Sequence, residues 1–214
     1  MGEGAVIFDP GCRRCARLVA HLDEVRMRHP AYHCGPVAPF GDAGHRLLIV
    51  GLAPGLQGAN RTGRPFTGDH AGILLYRVLH AHGFASRPES LAADDALELH
   101  DCRITNAVKC LPPANRPLPA EVRRCSGYLT AELAAVPAGG VILALGAIAH
   151  SAVLLAAGLK PARARFAHGA EHALPGARLL LDSYHCSRYN TQTRRLTAPM
   201  FEQILARARH LLAG

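Results

Sequence analysis

Tryptophan is absent from the 214 residues, and aromatic residues make up only 5% of them. So few rings argue against a binding surface built as a long row of stacking platforms. The 21 Gly and 15 Pro follow no G-X-Y period, which excludes a collagen-like fibre. With 49% hydrophobic and 19% charged residues, the composition is that of a globular protein. At this length we expect one domain that spans residues 1–214.

The sequence also lacks the features of secreted and membrane proteins. The first residues show no basic segment followed by an apolar run, as a secretory signal would require. The most apolar stretch, residues 134–159, is broken by Pro137, by Gly139 and Gly140 and by His150, so it predicts a buried strand and a helix. Seven cysteines, an odd number, fit a closed disulfide framework poorly. We therefore expect a cytoplasmic protein with no membrane partner.

Basic residues exceed acidic ones by 24 to 16, which gives a formal net charge of +8. An excess of this size favours a polyanionic partner without proving one.

Short apolar runs alternate with segments of helical spacing. The runs are residues 46–50, 102–105, 141–145 and 178–182. Because they are continuous and do not alternate with polar residues, we expect strands covered on both faces. Helical stripes occupy residues 15–25, 74–82, 122–133 and 200–212, the second with Asp69 as its N-cap. The pattern predicts an α/β fold, a three-layer α/β/α arrangement around a short central parallel sheet.

In such folds ligands bind beyond the carboxyl ends of the strands. The first segment to examine there is Gly51–Gly55, which continues into Asn60–Asp69. It matches neither a Walker loop nor a GxGxxG fingerprint, and a tight strand-to-helix turn explains it equally well. Asp69 is expected to cap a helix rather than to act as an acid. Phe66, in a polar loop, either fills the edge of the core or presents its face to a base.

Four cysteines have the spacing of a metal site. Cys12 and Cys15 form a C-x2-C pair, and Cys110 and Cys125 can complete a set of four thiolates. This geometry suits zinc and an iron–sulfur cluster equally. The alternative is that these are buried free cysteines, since Cys15 and Cys125 lie on apolar helical stripes.

The last segment, residues 184–197, follows the fourth apolar run and mixes basic, aromatic and polar residues around His185. A histidine at this position suits a site beside a nucleic-acid groove. A thiol protease pair of His185 and Cys186 is not expected, because adjacent residues on extended chain point to opposite sides.

Together the three segments resemble the uracil-DNA glycosylase superfamily, and most of all its iron–sulfur branch of family 5 (UDGb-type) enzymes. The resemblance extends from Cys12 to Thr197 and includes the segment from Thr105 to Cys110. It implies a monomeric DNA-repair glycosylase that flips uracil out of DNA and hydrolyses the N-glycosidic bond, leaving an abasic site, with other deaminated bases as further candidate substrates. It also implies that the four cysteines bind a [4Fe-4S] cluster, which we prefer over zinc.

The resemblance further assigns roles at the base. Phe66 matches the residue that stacks on the base, Asn106 the amide that reads its edge, and His185 the group that hydrogen-bonds the base oxygen as uracil departs. The backbone of Gly51, Leu52 and Ala53 is expected to approach the flipped base and the attacking water.

Two more roles follow from the same comparison. Leu52 and Ala53 carry no group that could orient water, so Asn60 is the nearest polar candidate for that catalytic role. For DNA binding we expect Arg188 and Tyr189 to enter the groove, and Arg61 and Arg64 to meet phosphates.

Two other functions stay open. Because no carboxylate lies in residues 51–55, the protein could bind uracil-containing DNA with little or no turnover. A nucleotide-binding α/β protein with a structural zinc is the third hypothesis.

Overall fold

A computed structural model describes residues 8–214. Residues 1–7, in which no secretory signal is expected, lie outside this range. The helices are α1 (Ala16–Arg28), α2 (Ala59–Thr62), α3 (His70–Ala81), α4 (Pro119–Ala135), α5 (Ala147–Ala156), α6 (Arg188–Gln192) and α7 (Ala198–Ala213). The strands are β1 (Phe40–Gly41), β2 (Leu47–Gly51), β3 (Cys102–Asn106), β4 (Val141–Leu145), β5 (Glu171–Leu174) and β6 (Arg178–Ser183). Within residues 8–214, no helix is long and apolar enough to cross a membrane.

The strands form one sheet in the order β1-β3-β2-β4-β6-β5. The four central strands are parallel, while β1 and β5 pair antiparallel at the two edges. The central strands coincide with the four predicted apolar runs to within a residue or two. The predicted parallel sheet is therefore correct at its centre and incomplete at its edges.

Two apolar layers cover the sheet. On one face, Leu47, Ile49 and Leu143 pack with residues of α3 and α7. On the other, side chains of opposite parity, such as Leu48 and Ile142, pack with α4 and α5. Successive strand side chains point to opposite faces, so both halves of each apolar run are buried. This confirms the predicted three-layer α/β/α architecture.

The helix ends follow their capping residues. Asp69 accepts a hydrogen bond from the backbone of Gly72 at the start of α3, as predicted, and Thr197 caps α7 by accepting from Met200. The predicted loop after His185 contains the short helix α6, which Ser187 caps. The parallel strands end together, with Gly51 opposite Asn106 and Leu145 opposite Ser183. The segments predicted to carry chemistry therefore meet at one edge of the sheet.

Candidate active site

A hollow of about 460 Å³ opens at this carboxyl edge. Residues from five stretches of chain line it, within residues 52–59, 66–71, 106–115, 145–149 and 185–188. Its size lies in the usual range for small-molecule pockets. Phe66, Asn106 and His185 all lie on its wall, although up to 119 positions separate them along the chain.

Phe66 is held against the end of β2. Its backbone is left-handed (φ 54°), and its ring lies 5.8 Å from the His185 ring, centre to centre, at 30°. A Cβ at Gly51 would lie 2.6 Å from the Phe66 ring and 2.4 Å from the Asn106 side-chain oxygen. Gly51 thus lies behind the hollow and leaves room for both groups, whereas Leu52 and Ala53 line it. The expectation that Gly51 itself approaches a base is corrected accordingly.

Asn106 ends β3 with its side chain at the wall and only 4% of its surface exposed. Its Oδ1 is buried and has no hydrogen-bond partner among the described residues. A buried acceptor without a partner costs about 1–3 kcal/mol. A ligand that donates a hydrogen bond here would remove this cost.

His185 lies two residues beyond β6, half-buried on the same wall as the Phe66 ring. Burial lowers its pKa to about 4, so the ring is neutral at neutral pH. Its Nδ1 is buried without a partner, and the Asn190 side chain donates to its backbone oxygen at 2.8 Å. A neutral imidazole can donate one hydrogen bond to an oxygen that gains negative charge.

Asp69 also lies on the wall, a placement that sequence reasoning missed because the capping pattern accounted for the residue. One carboxylate oxygen accepts from the Gly72 N–H at 3.0 Å, while a Cβ at Gly58 would lie 2.1 Å from the other. Burial raises the pKa of Asp69, and backbone hydrogen bonds oppose only part of the rise. A carboxylate made more basic in this way suits a general base.

Asn60 does not reach the hollow, so its predicted water-positioning role is wrong. Its side chain is completely buried, and Nδ2 donates to the Cys34 sulfur at 3.6 Å. The cause is α2, which turns this residue toward the segment around Cys34: the Cys34 N–H also donates to the Asn60 carbonyl.

Arg64 is likewise placed inward, which contradicts its predicted phosphate contact. Its side chain is 5% exposed and pairs with Asp95 at 2.6 Å and Ser90 at 2.7 Å. Burial opposes ionisation of Asp95, but hydrogen bonds from Arg64 and from backbone N–H groups lower its pKa to about 2. The guanidinium is therefore committed to a buried ion pair.

The other predicted DNA contacts are exposed. Arg61 holds the carbonyls of Gln57 and Gly68 while its side chain faces solvent. Arg188 borders the hollow, and Tyr189, the next residue, is 71% exposed. All three side chains are exposed to solvent, and Arg188 is the one that borders the hollow.

The four cysteines of the predicted metal site come together beside the N-terminus of α1, where Cys15 is the N-cap. Cys12, Cys15, Cys110 and Cys125 border one small internal space. Burial, and then the proximity of the other three sulfurs, raises the pKa of Cys110 to about 12. Such a thiol stays protonated unless a metal binds it. Arg14 donates to the Cys12 sulfur at 3.3 Å and lies over the Tyr128 ring, so positive charge adjoins the sulfurs.

Residues 38–209 match the family model described as the uracil DNA glycosylase superfamily. The chain belongs to this superfamily. A type-5 uracil-DNA glycosylase of Thermus thermophilus is 50% identical over 205 residues, which cover 94% of this chain and 93% of the relative.

Other members of the superfamily are similar over comparable lengths. Type-5 uracil-DNA glycosylases of Pyrobaculum aerophilum and Mycobacterium tuberculosis are each 42% identical. The first comparison covers 92% of this chain and 87% of the relative, and the second covers 94% and 78%. The family resemblance inferred from the motifs is confirmed.

The spacing of the four cysteine sulfurs differs from the spacing around a single zinc ion. Zn–S bonds of about 2.3 Å in a tetrahedron would bring the sulfurs to about 3.8 Å from one another. Among the described residues, no three of the four sulfurs lie within 4.8 Å of one another. As placed, the sulfurs do not form the compact set that one zinc ion needs, whereas four thiolates around one space are also the ligand set of an iron–sulfur cluster.

Two further wall positions had no signal that sequence reasoning used. Asn115 borders the hollow from the turn after Cys110, in a left-handed conformation (φ 54°). Ile148, in the first turn of α5, also borders the hollow and is 47% exposed. Each belongs to a segment whose placement depends on distant parts of the chain.

Proposed function

We propose that this protein excises uracil from DNA by hydrolysing the N-glycosidic bond and leaves an abasic site. The observation that carries the proposal is the shared hollow, where an aromatic ring, an unpartnered amide oxygen and a neutral imidazole lie on one wall. A base inside a duplex cannot reach such a hollow, so the nucleotide must be flipped out.

Each group has a task that fits its environment. The Phe66 ring stacks on the base. The Asn106 side chain accepts from the uracil N–H and donates to the adjacent carbonyl, which satisfies its buried oxygen. Neutral His185 donates to the other base oxygen as the pyrimidine leaves as an anion. Preorganised donors of this kind contribute about 100–1,000-fold to rate.

Asp69 is the group we assign to the water. Its raised pKa makes the carboxylate a stronger base, and it lies on the same wall as the base-binding groups. It can orient water or accept its proton as the sugar is attacked. The hypothesis of binding without turnover depended on the lack of a carboxylate in residues 51–55, and Asp69 removes that reason.

DNA is the partner we propose, bound through the basic surface around the hollow. Arg188 and Tyr189 are positioned to enter the groove beside the flipped nucleotide, and Arg61 to contact a phosphate. Activity on other deaminated bases and function as a monomeric, cytoplasmic, single-domain protein remain predictions.

We propose that Cys12, Cys15, Cys110 and Cys125 hold a [4Fe-4S] cluster with a structural role. When bound, the cluster would cross-link α1, α4 and the end of the Cys110 segment. Arg14 and Arg124 offset its negative charge, since both adjoin the cysteine space. Freshly purified protein is expected to be brown, with a broad absorbance at about 400 nm and four iron atoms per chain.

The decisive experiment is single-turnover excision on a panel of labelled oligonucleotides, duplex and single-stranded, with uracil, hypoxanthine or an undamaged base. Abasic product from uracil, with loss of about 100-fold or more in His185→Ala and in Asn106→Ala, supports the proposal. A retarded complex without product would favour binding alone. Iron content, measured on each variant, separates site defects from loss of the cluster.

A further inference from the structure

The catalytic wall has a second layer behind it. Strand β6 leads through Tyr184 directly into His185, and the segment between α5 and β5 packs along this end of the strand. The His168 ring stacks on the Tyr184 ring with centroids 5.0 Å apart and planes inclined by 11°. The Tyr184 backbone N–H donates to His168 Nδ1 at 3.2 Å.

This hydrogen bond needs a particular form of His168. Nδ1 accepts only when it carries no proton. Burial lowers the pKa of His168, which favours the neutral ring with its proton on Nε2. The ring thus supplies the acceptor for the Tyr184 N–H beyond the end of the β6 ladder, where no strand supplies one.

A buried histidine–carboxylate group fixes the strand one step earlier. Asp182 is completely buried; one carboxylate oxygen lies 2.8 Å from His150 Nδ1 and the other 3.1 Å from His172 Nε2. His150 Nε2 lies 3.1 Å from the Ala164 carbonyl. These contacts join β6 to α5, to β5 and to the segment that carries His168.

The same three side chains lie close enough together to hold a metal ion. Both Asp182 carboxylate oxygens, and the ring nitrogens of His150 and His172 that face them, already have hydrogen-bond partners. None of these atoms is among the buried polar atoms without a partner. Hydrogen bonding therefore accounts for this group without a metal.

The His185 ring packs against the Phe66 ring at 5.8 Å, but among the described residues no hydrogen bond to Nδ1 fixes its direction. Its buried Nδ1 has no partner among the described residues, and the fixed hydrogen bond nearby is that of Asn190 to the His185 backbone oxygen. Besides this ring contact, the direction of the imidazole depends on the backbone on either side of it. Asn190 holds that backbone after the Cα, and the peptide N–H of Tyr184, held by His168, lies just before it.

We propose that His168 is a positioning residue for His185: by accepting the Tyr184 N–H, it fixes the backbone that aims the imidazole into the hollow. This inference rests on the proposed glycosylase function. Its failure is distinguishable, because an inactive unmodified protein would overturn the function, whereas active protein with indifferent His168 variants would overturn only the positioning role.

The test separates the stacking of His168 on Tyr184 from the acceptor at Nδ1, which the Ser183 hydroxyl also approaches at 3.5 Å. His168→Phe keeps a ring to stack on Tyr184 but offers no acceptor, and His168→Asn keeps an acceptor near the Nδ1 position but no ring. His168→Ala removes both, and His80→Ala, at an exposed histidine near the end of α3, is the matched control. Steady-state kcat and KM on a uracil-containing duplex are measured for each, with thermal unfolding and iron content.

We expect kcat to fall about 10- to 100-fold in His168→Phe and His168→Ala, because misplacing a catalytic group by about 1 Å costs up to about 100-fold. KM should stay within about threefold, His168→Asn should recover most of kcat, and His80→Ala should be unchanged. Three results would overturn the proposal: full activity in His168→Phe, equal losses in the Asn and Phe variants, or a loss confined to KM. If His168→Ala fails to fold, the Phe and Asn pair decides.

Discussion

Replacing Gly51 with alanine tests whether the end of β2 sets the geometry of the base site. The added Cβ would lie 2.4 Å from the Asn106 side-chain oxygen and 2.6 and 2.7 Å from two atoms of the Phe66 ring. Ordinary contacts begin at 3.4 Å, so the Asn106 oxygen and the Phe66 ring must each move by up to about 1 Å. A side chain behind the hollow would therefore push both groups out of the positions in which they would meet a flipped base.

The expected size of the effect follows from these distances. Extra atoms in a packed site cost about 1–3 kcal/mol of stability. A displacement of about 1 Å in base-positioning groups costs up to about 100-fold in rate. We therefore expect Gly51→Ala to fold, to lose a modest part of its stability and to excise uracil about 100-fold more slowly.

The measurement is single-turnover excision together with chemical unfolding. Gly44→Ala is the control, because among residues 8–214 the atom nearest its added Cβ is a carboxylate oxygen of Asp42 at 3.7 Å, an ordinary contact. Gly44→Ala should match the unmodified protein in both assays. If Gly51→Ala excises uracil within about threefold of the unmodified rate, the close approach of Phe66 and Asn106 does not govern catalysis and the reasoning fails.

Three other predictions concern ionisable groups. Asp69→Asn should lose most of the rate of uracil excision. Because burial raises the pKa of Asp69, the excision rate of the unmodified protein should decrease as the pH falls toward a pKa above the ordinary 3.8. A pH–rate profile that the substitution leaves unchanged would contradict the role of Asp69 as a base. Burial lowers the pKa of His185 from 6.5 to about 4, so between these pH values the unfolded chain binds a proton that the folded chain does not bind. The free energy of unfolding should therefore be at its full value above pH 6.5 and should fall by about 2–3 kcal/mol as the pH drops toward 4. In His185→Ala, the free energy of unfolding should not show this decrease over the same pH range. Arg64→Ala should lower the free energy of unfolding by about 3 kcal/mol, because it leaves Asp95 without its buried partner. Arg61→Ala should weaken DNA binding and reduce the salt dependence of that binding, with little effect on unfolding. If instead Arg64→Ala weakens DNA binding and leaves unfolding unchanged, Arg64 belongs to the DNA surface.

Local sequence was sufficient for most of the secondary structure. Runs such as 141–145 are apolar on both faces, as expected of strands covered on both sides, and Asp69 accepts a backbone hydrogen bond at the start of α3, where the sequence placed it. The edge strand β5 escaped prediction. It has one covered face and polar neighbours, and its pairing with β6 decides its conformation.

The sequence by itself determined the family, the sheet and the residue types of the site, because motifs and periodicity are local properties. Tertiary structure alone decided which side of the chain each polar residue faces. It turned Asn60 and Arg64 into the interior, where Asn60 contacts Cys34 and Arg64 pairs with Asp95. It also brought the helix cap Asp69 to the wall of the hollow. The orientation of a loop side chain depends on partners far away in sequence, and no local pattern encodes them.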